Sequence, residues 1–148
     1  MSEGLERKKA FLRSYQRTRR GLAALTLELE ELRTAAAMPG RGYDGMPHGH
    51  TPQDLSGIVA RIAETEAKAA AARAAMQQDL VMVENAILRV GPGYEREVLT
   101  RRYIRGETWD QIADEMHMTA RHAQRYHGYA LAMVRVPEGW KREYNSKA

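Results

Sequence analysis

The sequence has no cysteine, which excludes a disulfide framework, a thiolate metal site and a cysteine nucleophile. Aromatic residues are only 7% of the chain and Phe11 is the sole phenylalanine, so its core has to be built mainly from aliphatic side chains. No run approaches the roughly eighteen uncharged apolar residues of a membrane-spanning helix, and the N-terminus has no hydrophobic signal core. A soluble protein of the cytoplasm, without a membrane partner, is the expectation. With 148 residues, 43% of them apolar and 28% charged, one or two small domains with a real core can form, and a disordered tail is excluded.

Charge is distributed unevenly. The formal net charge is +4, yet residues 1–22 alone carry seven bases against two acids. Local basicity points to particular surfaces that meet anions rather than to a generally adhesive protein.

From Glu3 to Ala37 the apolar positions Phe11, Tyr15, Leu22, Leu25, Leu29 and Leu32 step by threes, fours and sevens, the spacing of a helix with a heptad seam. Thr18 on the seam and Gly21, which costs about 1 kcal/mol against alanine, predict a weaker first half. Residues 38–50, MPGRGYDGMPHGH, hold too many glycines and prolines for any regular element and form a loop. Thr51, Pro52 and Asp54 then give a helix start. Leu55, Ile58, Ile62, Ala69, Ala72, Met76, Val83 and Val90 continue a seam until Gly91, Pro92 and Gly93 stop it, a length of roughly 58 Å at ~1.5 Å per residue. A helix that long with one apolar stripe needs a partner, and the first helix folded back antiparallel is the economical one. Residues 1–90 are thus expected to form a long, coiled-coil-like hairpin, joined by the GPG break to a second domain.

That second domain, residues 94–135, predicts three short helices, over Tyr94–Arg105, Thr108–Met116 and Thr119–Arg135, followed by a tail at 136–148 with Trp140 and Tyr144. In the middle helix Trp109, Ile112, Ala113 and Met116 share a face; in the last, Ala123, Tyr126, Ala130 and Val134 do. The opposite stripe of the last helix holds Arg121, Gln124, Arg125, Gly128 and Arg135 and no acid. A short strut, a tight turn and a longer basic helix are the layout of a helix-turn-helix whose second helix enters the major groove of double-stranded DNA. Arginine donates in parallel to guanine O6 and N7 and glutamine pairs with adenine, which makes Arg121, Gln124 and Arg125 the reading candidates. Thr119 at the helix N-cap, His122 and His127 beside the face, and Arg101, Arg102, Arg105 and Arg135 around it are candidates for phosphate contacts. Trp109 and Tyr103 have the spacing of buried anchors. The basic residues RKK at 7–9, with Arg13, Arg17, Arg19 and Arg20, suit either phosphates or an acidic polymerase surface.

Other chemistry finds little support. His48 and His50 lack a third ligand nearby, and Glu107, Asp110, Asp114 and Glu115 have no nucleophile or phosphate loop beside them. No catalytic function, metal site or cofactor is expected.

The segment EREVLTRRYIRGETWDQIADEMHMTARHAQRYHGYALAMV resembles sigma-factor region 4, with Ile112 and Ala113 on the scaffold helix and Ala130 and Leu131 on the recognition helix at matching positions. More narrowly, RYIRGETWDQIA and RYHGYAL, preceded by a long helical region and the loop motif YDGMP, are similar to the ArpU/RinA type of phage late-gene transcription regulators, over about Tyr43 to Val134. Two positions depart from the pattern. His117 stands where glycine is common, which requires a left-handed backbone, and Ala123 replaces a branched core residue. The resemblance implies an all-α, sequence-specific activator of phage late genes that works with RNA polymerase or its sigma factor in the bacterial host cytoplasm. Self-association through the long helices would match a palindromic site. A small terminase subunit for DNA packaging and a protein-only sigma-like or anti-sigma adaptor share the same outline.

Overall fold

A computed structural model describes residues 2–37 and 52–141. The YDGMP motif, His48, His50, Thr51 and Tyr144 lie outside the described residues. The protein is all-helical: α1 (Ser2–Leu12), α2 (Ser14–Ala37), α3 (Pro52–Leu88), α4 (Tyr94–Leu99), a π-helical turn (Thr100–Ile104), α5 (Trp109–Glu115) and α6 (Ala120–Met133). No helix among the described residues is long and apolar enough to cross a membrane.

The heptad seams are formed. On α1 and α2 the least exposed positions include Phe11, Tyr15, Thr18, Leu22, Leu25, Leu29, Leu32 and Ala36, spaced alternately by four and three. Along α3, Ile58, Ile62, Thr65, Ala69, Ala72, Met76, Asp79, Val83, Ala86 and Val90 follow the same rhythm, whereas Leu55 is exposed. The interruption between the first two helices falls at Arg13, not at Thr18 or Gly21. Thr18 stays in the helix by donating its hydroxyl to the carbonyls of Ser14 and Tyr15. The backbone ladder runs on across the step, because Arg13 N–H still bonds Lys9 O and Arg17 N–H bonds Arg13 O.

Contacts divide the chain into two compact units, residues 19–75 and residues 1–18 with 76–148. In the unit 19–75, α2 packs on α3 around Leu29, Thr65 and Ala69, all nearly inaccessible. Arg33–Glu66 at 2.9 Å and Arg61–Glu28 at 3.8 Å cross between the helices. All four side chains are about half exposed, so each pair contributes about 0–1 kcal/mol and mainly fixes pairing.

The other unit does not begin at the GPG break, where the sequence places a domain boundary. Phe11 and Leu12 of α1 share one core with Val83 and Ile87 of α3, Leu99 and Tyr103 around the π turn, and Leu131 and Val134 at the end of α6. Gly91 and Gly93, with φ of 89° and 147°, reverse the chain inside this unit, and the Arg96 guanidinium donates to Leu88 O at 2.7 Å to close α3. The tail returns to the same core: Trp140 meets Phe11 edge to face at 5.5 Å, and Arg7 lies over its ring and donates to its carbonyl at 2.9 Å.

Where Tyr94–Arg105 was expected to be one helix, the chain widens into a π turn at Thr100–Ile104, with Arg105 N–H bonding Thr100 O. The amide of Gln16 donates to the carbonyls of Tyr103 and Ile104 at 3.1 and 3.4 Å and satisfies the turn from α2. Gly106, at φ 73°, follows directly, and a Cβ there would stand 3.0 Å from the Gln16 side chain.

Candidate nucleic-acid interface

The strut α5 starts in a reciprocal cap: Gln111 N–H bonds Thr108 Oγ1 at 3.2 Å, and Thr108 N–H bonds Gln111 Oε1 at 2.8 Å. Its inner face, Ile112 and Met116, packs with Val98 of α4 and Ala123 of α6. At its end, His117 takes φ 55°, Met118 N–H bonds Ala113 O at 2.9 Å and His117 N–H bonds Asp114 O at 3.3 Å. That is the Schellman termination, with histidine in the left-handed position that glycine usually occupies. Thr119 then caps α6, accepting from His122 N–H at 3.1 Å. Short helix, tight turn and longer helix are therefore fixed by local hydrogen bonds. The small Ala123 is wholly buried, with Trp109, Met118 and Tyr126 packed around its cluster, so larger neighbours fill the space a branched residue would take.

α6 buries Ala123, Ala130 and Leu131. At 100° per residue Arg121, Gln124, Arg125, Gly128, Tyr129 and Ala132 share the opposite face, and all six are exposed. None of the residues of α6 is acidic. A Cβ at Gly128 would meet nothing within 4 Å, so the protein's own packing does not demand glycine there. Thr119 is exposed, but its hydroxyl is engaged in the cap. What it leaves for an anion is the first-turn N–H groups of Ala120 and Arg121 at the positive end of the helix.

An aromatic row that the sequence reading did not single out runs along one edge of this face. His122 and Tyr126 lie 5.1 Å apart, Tyr126 and Tyr129 6.3 Å, and Tyr126 and Tyr94 of α4 5.2 Å. The spacing of 122, 126 and 129 is a helical signal for such a row. Tyr94 is legible only in three dimensions.

The flanking cations separate into two groups. Arg101 bonds Glu97 and Glu107, each at 3.1 Å, with its side chain only 15% exposed. Burial acts against its charge, and the two carboxylates more than compensate, so its pKa is raised. Arg102 donates to Glu107 O at 3.0 Å and covers the Trp109 ring at 4.8 Å. Both therefore tie the π turn to the start of α5, so neither guanidinium stands unengaged beside the face. Arg105 and Arg135 are exposed. Arg135 does not continue the α6 stripe, because the helix ends at Met133 and Val134 is extended. Lys8 accounts for the stop: its ammonium takes the Leu131 carbonyl at 2.9 Å and that of Ala132 at 3.4 Å, while Pro137 biases the chain before it towards extension.

His127 turns inward. It bonds the Tyr103 hydroxyl at 2.7 Å and meets the edge of Trp109 at 4.9 Å. Burial, together with the charges of Lys9, Arg102 and Arg13, pushes its pKa down to about 4, and burial raises that of Tyr103. The ring is neutral at pH 7, shares a hydrogen bond with the tyrosine hydroxyl through Nε2, and serves the core rather than an anion. Among the described residues no three histidine or acidic side chains converge as metal ligands.

Comparisons with family models, with curated proteins and with solved structures return no match to this chain.

Proposed function

We propose that the protein is a sequence-specific DNA-binding transcription regulator whose helix α6 reads the major groove. One observation carries the reading: a capped and Schellman-terminated strut presents a longer helix whose exposed face holds Arg121, Gln124 and Arg125 and no acid. Arg121 and Arg125 supply bidentate donors for guanine, Gln124 pairs with adenine, and each such contact is worth about 1–3 kcal/mol of discrimination. His122 lies at the edge of the face, and the first turn of α6 is disposed towards a phosphate. Arg105 and Arg135 are the exposed flanking arginines for backbone contacts, since Arg101 and Arg102 are engaged with Glu97, Glu107 and Trp109. The resemblance to sigma-factor region 4 and to the ArpU/RinA regulators adds the biological setting: activation of phage late genes with RNA polymerase or its sigma factor, in the cytoplasm of a bacterial host. Leu27 and Val59 on the long helices, 57% and 54% exposed, support pairing of two copies on a palindromic site.

Selection from a random duplex library at ~150 mM salt tests the reading, with Arg121→Ala/Arg125→Ala in parallel. Enrichment by the parent of one motif that the variant loses is the expected result. A variant that keeps the parent's motif and affinity refutes the assigned face. No enrichment by the parent refutes sequence reading and favours the packaging-subunit or protein-only adaptor alternatives.

A further inference from the structure

Beyond its reading face, α6 ends at a cleft of about 1010 Å3 within the unit formed by residues 1–18 and 76–148. Arg7, Lys8, Arg89 and Arg135 line it, and none of its described lining residues is acidic. Arg7 and Lys8 are partly committed, through their bonds to the carbonyls of Trp140 and Leu131. Arg89 and Arg135 are exposed, and among the described residues no side-chain hydrogen bond or ion pair ties down either guanidinium. Four like charges around one concavity, with the apolar Val90, Val134 and Val136 beside them, raise its potential and favour an anion.

Position decides which anion. Ala132 belongs both to the lining of the cleft and to the exposed stripe of α6. From Arg121 to Ala132 the helix rises roughly 17 Å, whereas the major groove is about 12 Å wide. A helix that faces bases with its first turns therefore brings its last turn to the phosphates that bound the groove. The geometry points to a phosphate clamp in which Arg89 and Arg135, with Arg7 and Lys8 beside them, hold the sugar-phosphate backbone outside the bases faced by Arg121, Gln124 and Arg125. This rests on the DNA-reading role of α6 and gives the same site its sequence-independent part. Guanidinium forks match phosphate oxygens, and contacts of this kind add affinity and fix register without base preference. An acidic protein surface has the same charge sign, but the continuity of cleft and reading stripe favours the nucleic-acid backbone.

The test is the salt dependence of duplex binding by the parent and by Arg89→Ala/Arg135→Ala, measured on the motif that the parent selects. Neither arginine holds a side-chain partner among the described residues, so the variant is expected to keep the parent's unfolding midpoint. Loss of two phosphate contacts reduces the slope of log K against log salt by about 1.8, so that between 50 and 200 mM salt the variant loses about twelve-fold less affinity than the parent does. A reduced slope with the same motif enriched supports the clamp. An unchanged slope on a retained motif overturns the clamp alone and assigns the cleft to an acidic protein surface. A changed motif overturns the separation of clamp from reading face, and a parent that binds no duplex overturns both the clamp and the reading role of α6.

Discussion

Acidification is expected to weaken the protein through His127, in a direction and over a window that the site determines. In the fold the ring titrates at about 4, against an ordinary value of 6.5 in the unfolded chain. Between those values the unfolded chain binds more protons, so stability rises with pH; the contribution is complete above about 6.5 and is lost as pH falls towards 4. A displacement of that size corresponds to about 3 kcal/mol, which solvent access to the half-buried ring reduces to roughly 2 kcal/mol. The assay is urea unfolding of the parent and of His127→Phe at about pH 7 and about pH 4.5. Phenylalanine removes the titration, and it also leaves the Tyr103 hydroxyl without its partner, a cost of about 1–3 kcal/mol that does not vary over this range. The informative quantity is therefore the change with pH of the difference between the two proteins. The parent should lose roughly 2 kcal/mol relative to the variant on acidification. A difference that is the same at both pH values would refute the neutral, buried assignment of the ring.

Two further outcomes follow from packing and turn geometry. Phe11→Ala should destabilise the unit that contains α6 by about 3–5 kcal/mol, because a fully buried ring leaves a cavity between α1, α3 and Trp140; hydrogen exchange of the α6 amides reports it, and unchanged protection there would show that α1 is dispensable to the helix-turn-helix. His117→Gly should raise stability by about 1 kcal/mol by relieving the left-handed backbone at φ 55°, as read by the denaturation midpoint, with loss of stability as the contrary result.

Much of the architecture is legible in the sequence because it is periodic or capped. The leucine spacing of α2 and the aliphatic and alanine spacing of α3 mark both seams, and the threonines at 108 and 119 place the starts of α5 and α6 to within a residue. What is not legible depends on partners distant in the chain. Ala10 and Leu12 lie off the heptad seam and look like surface in a simple hairpin, yet both are buried, Leu12 in the core shared with α6 and the π-turn region. Gly91-Pro92-Gly93 marks a reversal of the chain, and local punctuation of that kind does not reveal whether contacts continue across it. The arginines are the instructive case for the site. Glu97, four residues before Arg101, is a visible helical pair, but Glu107 reaches the same guanidinium only because the π turn brings the start of α5 back to it. Charge type alone could not tell Arg101 from Arg135, and residue type alone could not tell the half-buried His127 from the exposed His122.

The bond from Arg7 to the Trp140 carbonyl joins residues 133 positions apart, and Lys8 takes the last carbonyls of α6 across a separation of 123. During synthesis at about 10 residues per second, α1 leaves the ribosome roughly 13 s before the tail that completes its surroundings. Until α6 and the tail follow, Phe11 and Leu12 have only the end of α3, Leu99 and Tyr103 to shelter them. A chain cut short before residue 120 leaves the apolar face of α1 uncovered, so such fragments should be sticky and recognisable to proteases. The order of manufacture thus couples completion of α6 to closure of the core around α1.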